Sequence, residues 1–333
     1  DIQTAQTDYT MNAIKLSDIK PSSAEIREKA GFKESFIEAA TLIENSKRPV
    51  VLAGGGVNIS GANEYLIEFA EHIDCPVAST LMGLGNFPAQ HGLFLGMAGM
   101  HGSRYANYAL TRSDLIIAIG TRFSDRVVSD LDKFGSGAKV IHIDIDAAEI
   151  GKNVRPHISI LGDVGEILKG LKASVSHKEH GKWLAQIDKW KAEHPLKYNR
   201  ASNLSPQYII ETLSHLTEDR AIITTEVGQN QMWTAQFYKF TKPRTFISSG
   251  GLGTMGYGLG AAIGACVGRP DMQVINIAGD GSFKMNLTEL ATISRYNLPI
   301  IQLVLNNHSL GMVRQWQNLF FDERYSYTSF GQE

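Results

Sequence analysis

Two polar signals close two successive apolar runs. Gly279-Asp280-Gly281 follows Gln273–Ala278, and Asn306-Asn307 follows Pro299–Leu305. Asp280 offers a carboxylate, Asn307 an amide oxygen, and the backbone carbonyl of Ser309 a third oxygen. Such oxygens suit Mg²⁺, which takes six ligands at about 2.0–2.1 Å and keeps part of its shell for water and substrate phosphate. The glycines around Asp280 let the chain turn tightly and bring its N–H groups up to a phosphate. The chemistry implied is a divalent cation tying a diphosphate to the protein. Gly-Asp-Gly is also a common turn and Asn-Asn a common strand end, so the inference rests on the elements between them.

Those elements agree. Both apolar runs read as buried strands, and Leu287–Tyr296 places Leu287, Leu290, Ala291 and Ile293 at helical spacing. A strand–helix–strand unit this short is a right-handed crossover between neighbouring parallel strands. Both signals then lie at the carboxyl edge of the sheet, where open α/β sheets bind ligands. Upstream, a helix over Pro206–Leu216 and a strand over Ala221–Thr225 lead into Val227-Gly228-Gln229-Asn230, whose N–H groups and Gln229 side chain suit diphosphate oxygens. Gly281-Ser282 opens a helix, whose free N–H groups favour anions.

The first half shows the same alternation. A helix near 31–45 precedes a strand at Pro49–Ala53 that runs into Gly54-Gly55-Gly56. A helix at Asn63–His72 and strands at Pro76–Ser79, Leu115–Gly120 and Val140–Ile145 follow. The pattern predicts an α/β protein with two doubly wound parallel-sheet domains. Residues 1–30 read as a polar linker with a turn at Pro21-Ser22-Ser23, 31–173 as a Rossmann-like central domain, 174–203 as an exposed interdomain connection, and 204–333 as a diphosphate-binding domain cut short at its end. Within the connection, Trp183, Ile187 and Trp190 fall on one side of a helix. The glycine triplet lacks the G-x-G-x-x-G spacing and a closing acidic residue, so a tight strand-to-helix turn accounts for it at least as well as a dinucleotide.

Apolar content of 43%, charged content of 20% and a net charge of −2 describe an ordinary globular chain with no pull toward nucleic acid or anionic membrane. No 18-residue apolar run suggests a membrane span. Cys75 and Cys266 make no disulfide framework and fit a reducing compartment, with Cys266 a small core residue of a Gly/Ala-rich helix.

Four stretches carry a family resemblance: EVGQNQMW (226–233), SGGLGTMGYGLGAAIGA (249–265), GDGSFKMNLTELATISRYNLPI (279–300) and LNNHSLGMVRQWQNLFF (305–321). They resemble the catalytic subunits of acetohydroxyacid (acetolactate) synthases, enzymes dependent on thiamine diphosphate (ThDP). MAGMHGSRYANYALTRSDLIIAIGTRFSDR (97–126) and HIDIDAAEIGKNVRPHISILGD (142–163) resemble that family's flavin-contacting stretches. The resemblance implies Mg²⁺ on Asp280, Asn307 and the Ser309 carbonyl. It implies ThDP against Val227, Gly228, Gln229, Asn230, Gly253, Met255, Gly281, Ser282, Gly311 and Met312, with Met255 as the wedge that bends the cofactor. Met255, Met312 and Trp316 become the catalytic-site residues, and Trp316 matches the residue favouring the larger second ketoacid.

For a flavin (FAD), structural in this family, the resemblance implies His101, Gly102, Arg104, Arg112, Gly120, Thr121, Arg122, Asp144, Ile145, Asp146, Gly162 and Asp163. The residue types agree in part: Arg122, at a strand end, can pair with phosphate, and Asp144 and Asp146 can accept from sugar hydroxyls. The implied reaction decarboxylates pyruvate and joins the remaining carbons to pyruvate or 2-ketobutyrate, the first common step of branched-chain amino-acid biosynthesis. A homodimer or homotetramer, a small regulatory subunit, and a cytoplasmic location, or a plastid one for a plant parent, are also implied. The family's activating glutamate lies on an N-terminal pyrimidine-binding domain that this chain lacks, and Glu226 does not match it. The chain is therefore expected to be a middle-and-late fragment, inactive alone. Glyoxylate carboligase, pyruvate oxidase, or a non-catalytic nucleotide-binding module are the competing readings.

Overall fold

The structure, a computed structural model, describes residues 32–130, 133–200, 204–218 and 220–331. The linker expected over 1–30 lies outside them.

Short apolar strands build two parallel sheets. In the first, β1 (Pro49–Ala53), β2 (Val77–Ser79), β3 (Phe94–Met97), β4 (Leu115–Ile119), β5 (Lys139–Asp144) and β6 (Ile158–Leu161) take the order β3-β2-β1-β4-β5-β6. The direction of winding reverses between β1 and β4, and a crevice opens there at the carboxyl edge. Alternate residues face opposite sides, so each strand feeds two cores. Val51, Ala53, Ile117, Ile119 and Ile141 pack under α1 (Phe32–Asn45), α3 (Asn63–His72) and α5 (Val164–Ser174). Val50, Leu52, Ile116, Ala118 and Val140 pack under α4 (Arg104–Arg112) and α6 (Gly181–Glu193). The short α2 (Gly55–Ser60) follows β1 directly.

The exposed connection expected over 174–203 is corrected by α6. Its Trp183, Ile187 and Trp190 are buried in the second core, and the Trp183 indole N–H donates to the Pro49 carbonyl at 3.0 Å. The charges of this segment mark only the outer face of a helix that closes the first domain.

The second sheet runs β10-β9-β7-β8, all parallel, from β7 (Ile222–Thr225), β8 (Phe246–Ser248), β9 (Val274–Gly279) and β10 (Ile300–Leu305). Its helices are α7 (Pro206–Thr217), α8 (Gln229–Phe237), α9 (Tyr257–Gly268), α10 (Asp280–Lys284), α11 (Glu289–Arg295) and α12 (Gly311–Phe320). The predicted crossover is present: β9 and β10 are parallel neighbours in register from Val274↔Ile300 to Gly279↔Leu305. Two details differ. The helix expected over Leu287–Tyr296 shortens to Glu289–Arg295 and buries no residue. The second strand is an edge strand, buried only at Leu305, with Ile301 44% exposed. Cys75 and Cys266 are both buried and unpaired; burial was expected of Cys266.

The sheets share packing. Leu84 and Met97 of the first domain join Ile223, Ala235 and Phe237 of the second in one cluster. Gln236 donates to the His101 carbonyl at 2.8 Å, and the Arg244 guanidinium donates to the carbonyls of Asn58 and Ile59, each at 3.2 Å.

Candidate active site at the facing carboxyl edges

Two strand termini meet at the carboxyl edge of the second sheet. β9 delivers Asp280 to the first turn of α10, 7% exposed, where its Oδ1 accepts from the Asn307 N–H at a long 3.4 Å. Among the described residues no cationic side chain pairs with it. Asn307 Oδ1 accepts from the Ser309 N–H at 3.1 Å and keeps a second lone pair. The turn beyond is braced by 328–330: Leu310 N–H donates to Thr328, and Phe330 N–H to His308, each at 2.8 Å. A Cβ on Gly281 would lie 2.8 Å from the Leu310 side chain and 2.9 Å from the Phe330 ring, so a larger residue there would make those side chains shift. A buried carboxylate paired with no cationic side chain among the described residues, with the Asn307 amide oxygen on the turn that meets it, suits a hard divalent ion.

The turn after β7 is held by side chains. Asn230 Nδ2 donates to the carbonyls of Glu226 (3.0 Å) and Ile277 (2.9 Å), tying the ends of β7 and β9 together. Gly228 has φ 146°, which a side chain disfavours. Gln229 Nε2 donates to Gln315 Oε1 on α12 at 2.9 Å. Beneath lies a polar ladder: Thr224 donates to Asn276 Oδ1 (2.9 Å), and Asn276 to Gln302 Oε1 (2.8 Å). Beside it, Gln231 donates to Ser248 (2.6 Å).

Sequence reasoning set Glu226 aside, yet it is central here. It is fully buried, and its oxygens accept from the N–H groups of Gly256 (2.7 Å) and Leu259 (3.2 Å) at the start of α9. Burial pushes its carboxyl above the usual range, while those N–H groups pull the other way. The available signal was an acidic residue immediately before one glycine turn and a second glycine-rich helix start downstream.

The expected ThDP residues Val227, Gly228, Gln229, Asn230, Gly253, Met255, Gly281, Ser282, Gly311 and Met312 line one cleft of about 1290 Å³, together with Trp316, Asn307 and Ser309. The first domain lines its other side with His101, Gly120, Thr121, Arg122, Asp144, Ile145, Asp146 and Asp163. Arg122 is exposed, has no carboxylate partner among the described residues, and extends to within 3.7 Å of a Cβ position on Gly251. Asp144 Oδ1 accepts from the Asp146 N–H at 3.0 Å, and Asp163 Oδ1 caps α5 through the Glu166 N–H at 3.1 Å, so both also serve the fold. The buried His142 supports this edge: its Nε2 meets the Thr121 carbonyl at 2.9 Å, while Nδ1 has no partner among the described residues and burial lowers the ring's basicity. His101 is likewise made less basic by burial and by Arg126.

Gly102, Arg104, Arg112 and Gly162 fall outside the cleft lining. Arg112 is at the far end of α4, its guanidinium over the rings of Tyr108 (4.7 Å) and Trp190 (5.3 Å). Arg104 is exposed at the other end of α4. A Cβ on Gly102 would press on the Met97 carbonyl at 2.4 Å, and Gly162 N–H donates to Asp144 O at 2.9 Å, so both serve the backbone. The glycine triplet is also structural: a Cβ on Gly54 would lie 2.1 Å from the Gly120 carbonyl, and one on Gly56 2.6 Å from its Cα.

Comparison with known proteins gives the same assignment. The family description "Thiamine pyrophosphate enzyme, central domain" matches residues 37–171, and "Thiamine pyrophosphate enzyme, C-terminal TPP binding domain" matches 226–332. A probable acetolactate synthase large subunit of Methanocaldococcus jannaschii is 50% identical, covering 100% of this chain and 58% of its own length. Acetolactate synthase 1, chloroplastic, of Nicotiana tabacum is 51% identical over 87% of this chain and 44% of its own. A probable large subunit of Methanococcus aeolicus is 43% identical over 99% and 58%. The chain spans about half the length of these relatives. With both halves matched, the chain belongs to the thiamine pyrophosphate enzyme family.

Proposed function

We propose that the chain forms the cofactor-binding part of an acetolactate synthase. In this reading it takes part in decarboxylating pyruvate and joining the remaining two-carbon unit to a second 2-ketoacid. The observation that carries it is the buried Asp280 carboxylate, paired with no cationic side chain among the described residues and accepting from the N–H of Asn307, while Gly279, Gly281, Asn307 and Ser309 around it line a cleft shared by two carboxyl sheet edges.

Asp280, Asn307 and the Ser309 carbonyl would hold Mg²⁺, with Val227–Asn230 and the start of α10 around the diphosphate. When bound, thiamine diphosphate supplies a thiazolium that accepts the electron pair released as CO₂ leaves. Met255, which lines the cleft, would offer the cofactor's ring system a polarizable contact. Met312 and Trp316 wall the space above, and the 37% exposed Trp316 face offers an apolar surface for a ketoacid side chain. Two pyruvates give acetolactate and one CO₂; pyruvate with 2-ketobutyrate gives acetohydroxybutyrate and one CO₂.

The first domain would hold FAD, with Arg122 toward phosphate and Asp144 and Asp146 toward sugar hydroxyls; the unpaired Arg122 and its place in the cleft support this. Among the described residues, the carboxylates lining the cleft are Asp144, Asp146, Glu149 and Asp163, all of the first domain, and none comes from the edge that carries Met255 and Asn307. Asp280 and Glu226 are not part of the cleft lining, and Glu226 is committed to the start of α9. The chain alone should therefore make no acetolactate. Assembly into a dimer or tetramer is supported by the exposed Leu290, Ile301, Phe320 and Phe321. A small regulatory subunit, and a cytoplasmic or plastid location, rest on the resemblance alone; no described helix is long and apolar enough to cross a membrane.

The test is a ketoacid panel on the full-length protein carrying this chain. Acetolactate from pyruvate, with 2-ketobutyrate preferred as second substrate and that preference lost in Trp316→Ala, is the expected result. A preference for glyoxylate, or no carboligation, would overturn the reading.

A further inference from the structure

Gly256 is held at both of its backbone polar groups by side chains from different segments. Its N–H donates to Glu226 Oε2 at 2.7 Å, and its carbonyl accepts from Asn286 Nδ2 at 3.2 Å. Its φ of 85° lies in the left-handed region that favours glycine. The other Glu226 oxygen accepts from Leu259 N–H at 3.2 Å, one turn into α9. There is no slack behind this contact. A Cβ on Gly258 would lie 2.6 Å from Asn276 Oδ1 and 2.7 Å from the Glu226 nitrogen, so the start of α9 is pressed onto β7. Met255, the residue before the held peptide, faces the cleft.

We propose that Glu226 is a positioning residue: with Asn286 it clamps the Gly256 peptide and so fixes Met255 beneath the bound cofactor. This inference rests on the ThDP reading above. The Glu226 carboxylate is fully buried with no cationic side chain paired to it among the described residues, so backbone N–H groups carry its stabilisation. It fills the start of α9 from within the protein, which leaves that helix to place Met255 rather than to bind an anion. Glu226→Gln exchanges one acceptor oxygen for a donor facing an N–H, removing one contact and adding a repulsion.

The test separates the ring of the cofactor from its diphosphate. Met255 is placed to meet the ring system, whereas the diphosphate belongs to Asp280, Asn307 and the β7 turn. On the 333-residue chain, binding of Mg²⁺–thiamine diphosphate and of Mg²⁺–inorganic pyrophosphate is followed by tryptophan fluorescence. Amide exchange over 254–260 is read without ligand. Glu226→Gln should speed that exchange and weaken thiamine diphosphate about tenfold, the scale of one charge-assisted hydrogen bond, with pyrophosphate changed by less than about twofold. Asn286→Ala, at a half-buried site, should show the same pattern more weakly, and serves if Glu226→Gln fails to fold. Equal losses for both ligands, or unchanged exchange and affinity, would overturn the clamp. A wild-type chain that binds pyrophosphate but not thiamine diphosphate, or neither, would overturn the cofactor reading and this inference with it.

Discussion

The two sheets solve the same problem with different materials. The first buries both faces under helices, and its interior is almost wholly aliphatic and aromatic. The second is well covered only on the face it shares with the first domain. Its other buried cluster amounts to Ile222, Ala262, Cys266 and Val274, while Leu287, Leu290 and Ile301 stay exposed. What steadies the second carboxyl edge is polar: the Thr224–Asn276–Gln302 ladder, the Asn230 staple and the Glu226 clamp. Directional hydrogen bonds fix loop ends more tightly than apolar burial, which is non-directional. The proposed binding of a metal and a diphosphate in register would gain from that. The uncovered side supports the proposed assembly with further protein surface.

The sharpest way to break this contrast is to remove apolar volume from the first sheet. Trp183→Ala empties a buried site and strands the Pro49 carbonyl, and should cost about 3–5 kcal/mol, read by chemical denaturation. A loss under about 1 kcal/mol would mean the helix cover is not structural. Next comes the polar ladder. Asn276→Ala leaves Thr224 and Gln302 short of a partner and should cost about 1–3 kcal/mol. Leu at the same place should not restore stability, because it satisfies neither neighbour.

On the open side, Leu287→Ser should change stability by no more than about 0.5 kcal/mol in the isolated chain. A large loss there would show that this face is already covered.

The smallest effect belongs to the first domain's rim. Glu44 is held down to about 2 by the Lys178 ammonium and by the Ser176 backbone N–H. A carboxyl with a depressed folded pKa adds stability above its unfolded value and loses it as pH falls. Glu44→Gln should therefore lower the melting temperature slightly at neutral pH. The difference should shrink from about pH 4.5 downward and vanish near pH 2.

Much of the architecture was legible because strand periodicity and the strand–helix–strand crossover are local signals. The parallel β9–β10 pair and the meeting of Asp280 with Asn307 followed from them. The α6 cover was misjudged because its outer face is dense in charge, although Trp183, Ile187 and Trp190 already marked the inner one. Arg104 and Arg112 were drawn into the flavin list by lying within a matched stretch. Neither lines the cleft, and Arg112 stacks over Tyr108 at the far end of α4, which linear proximity does not reveal. The roles of Glu226 and His142 depend on which backbone groups they meet across the fold, and no spacing rule records that.

The central claim is that Asp280 and Asn307 jointly bind a divalent cation that secures a diphosphate. The most direct measurement titrates thiamine diphosphate into the chain with Mg²⁺ and with chelator, for wild type and Asp280→Asn, using the fluorescence of Trp233 and Trp316 in the cleft wall. The account predicts cation-dependent binding that weakens about a hundredfold or more in Asp280→Asn. Equal affinity with and without Mg²⁺, or an Asp280→Asn variant that binds like wild type, would contradict it.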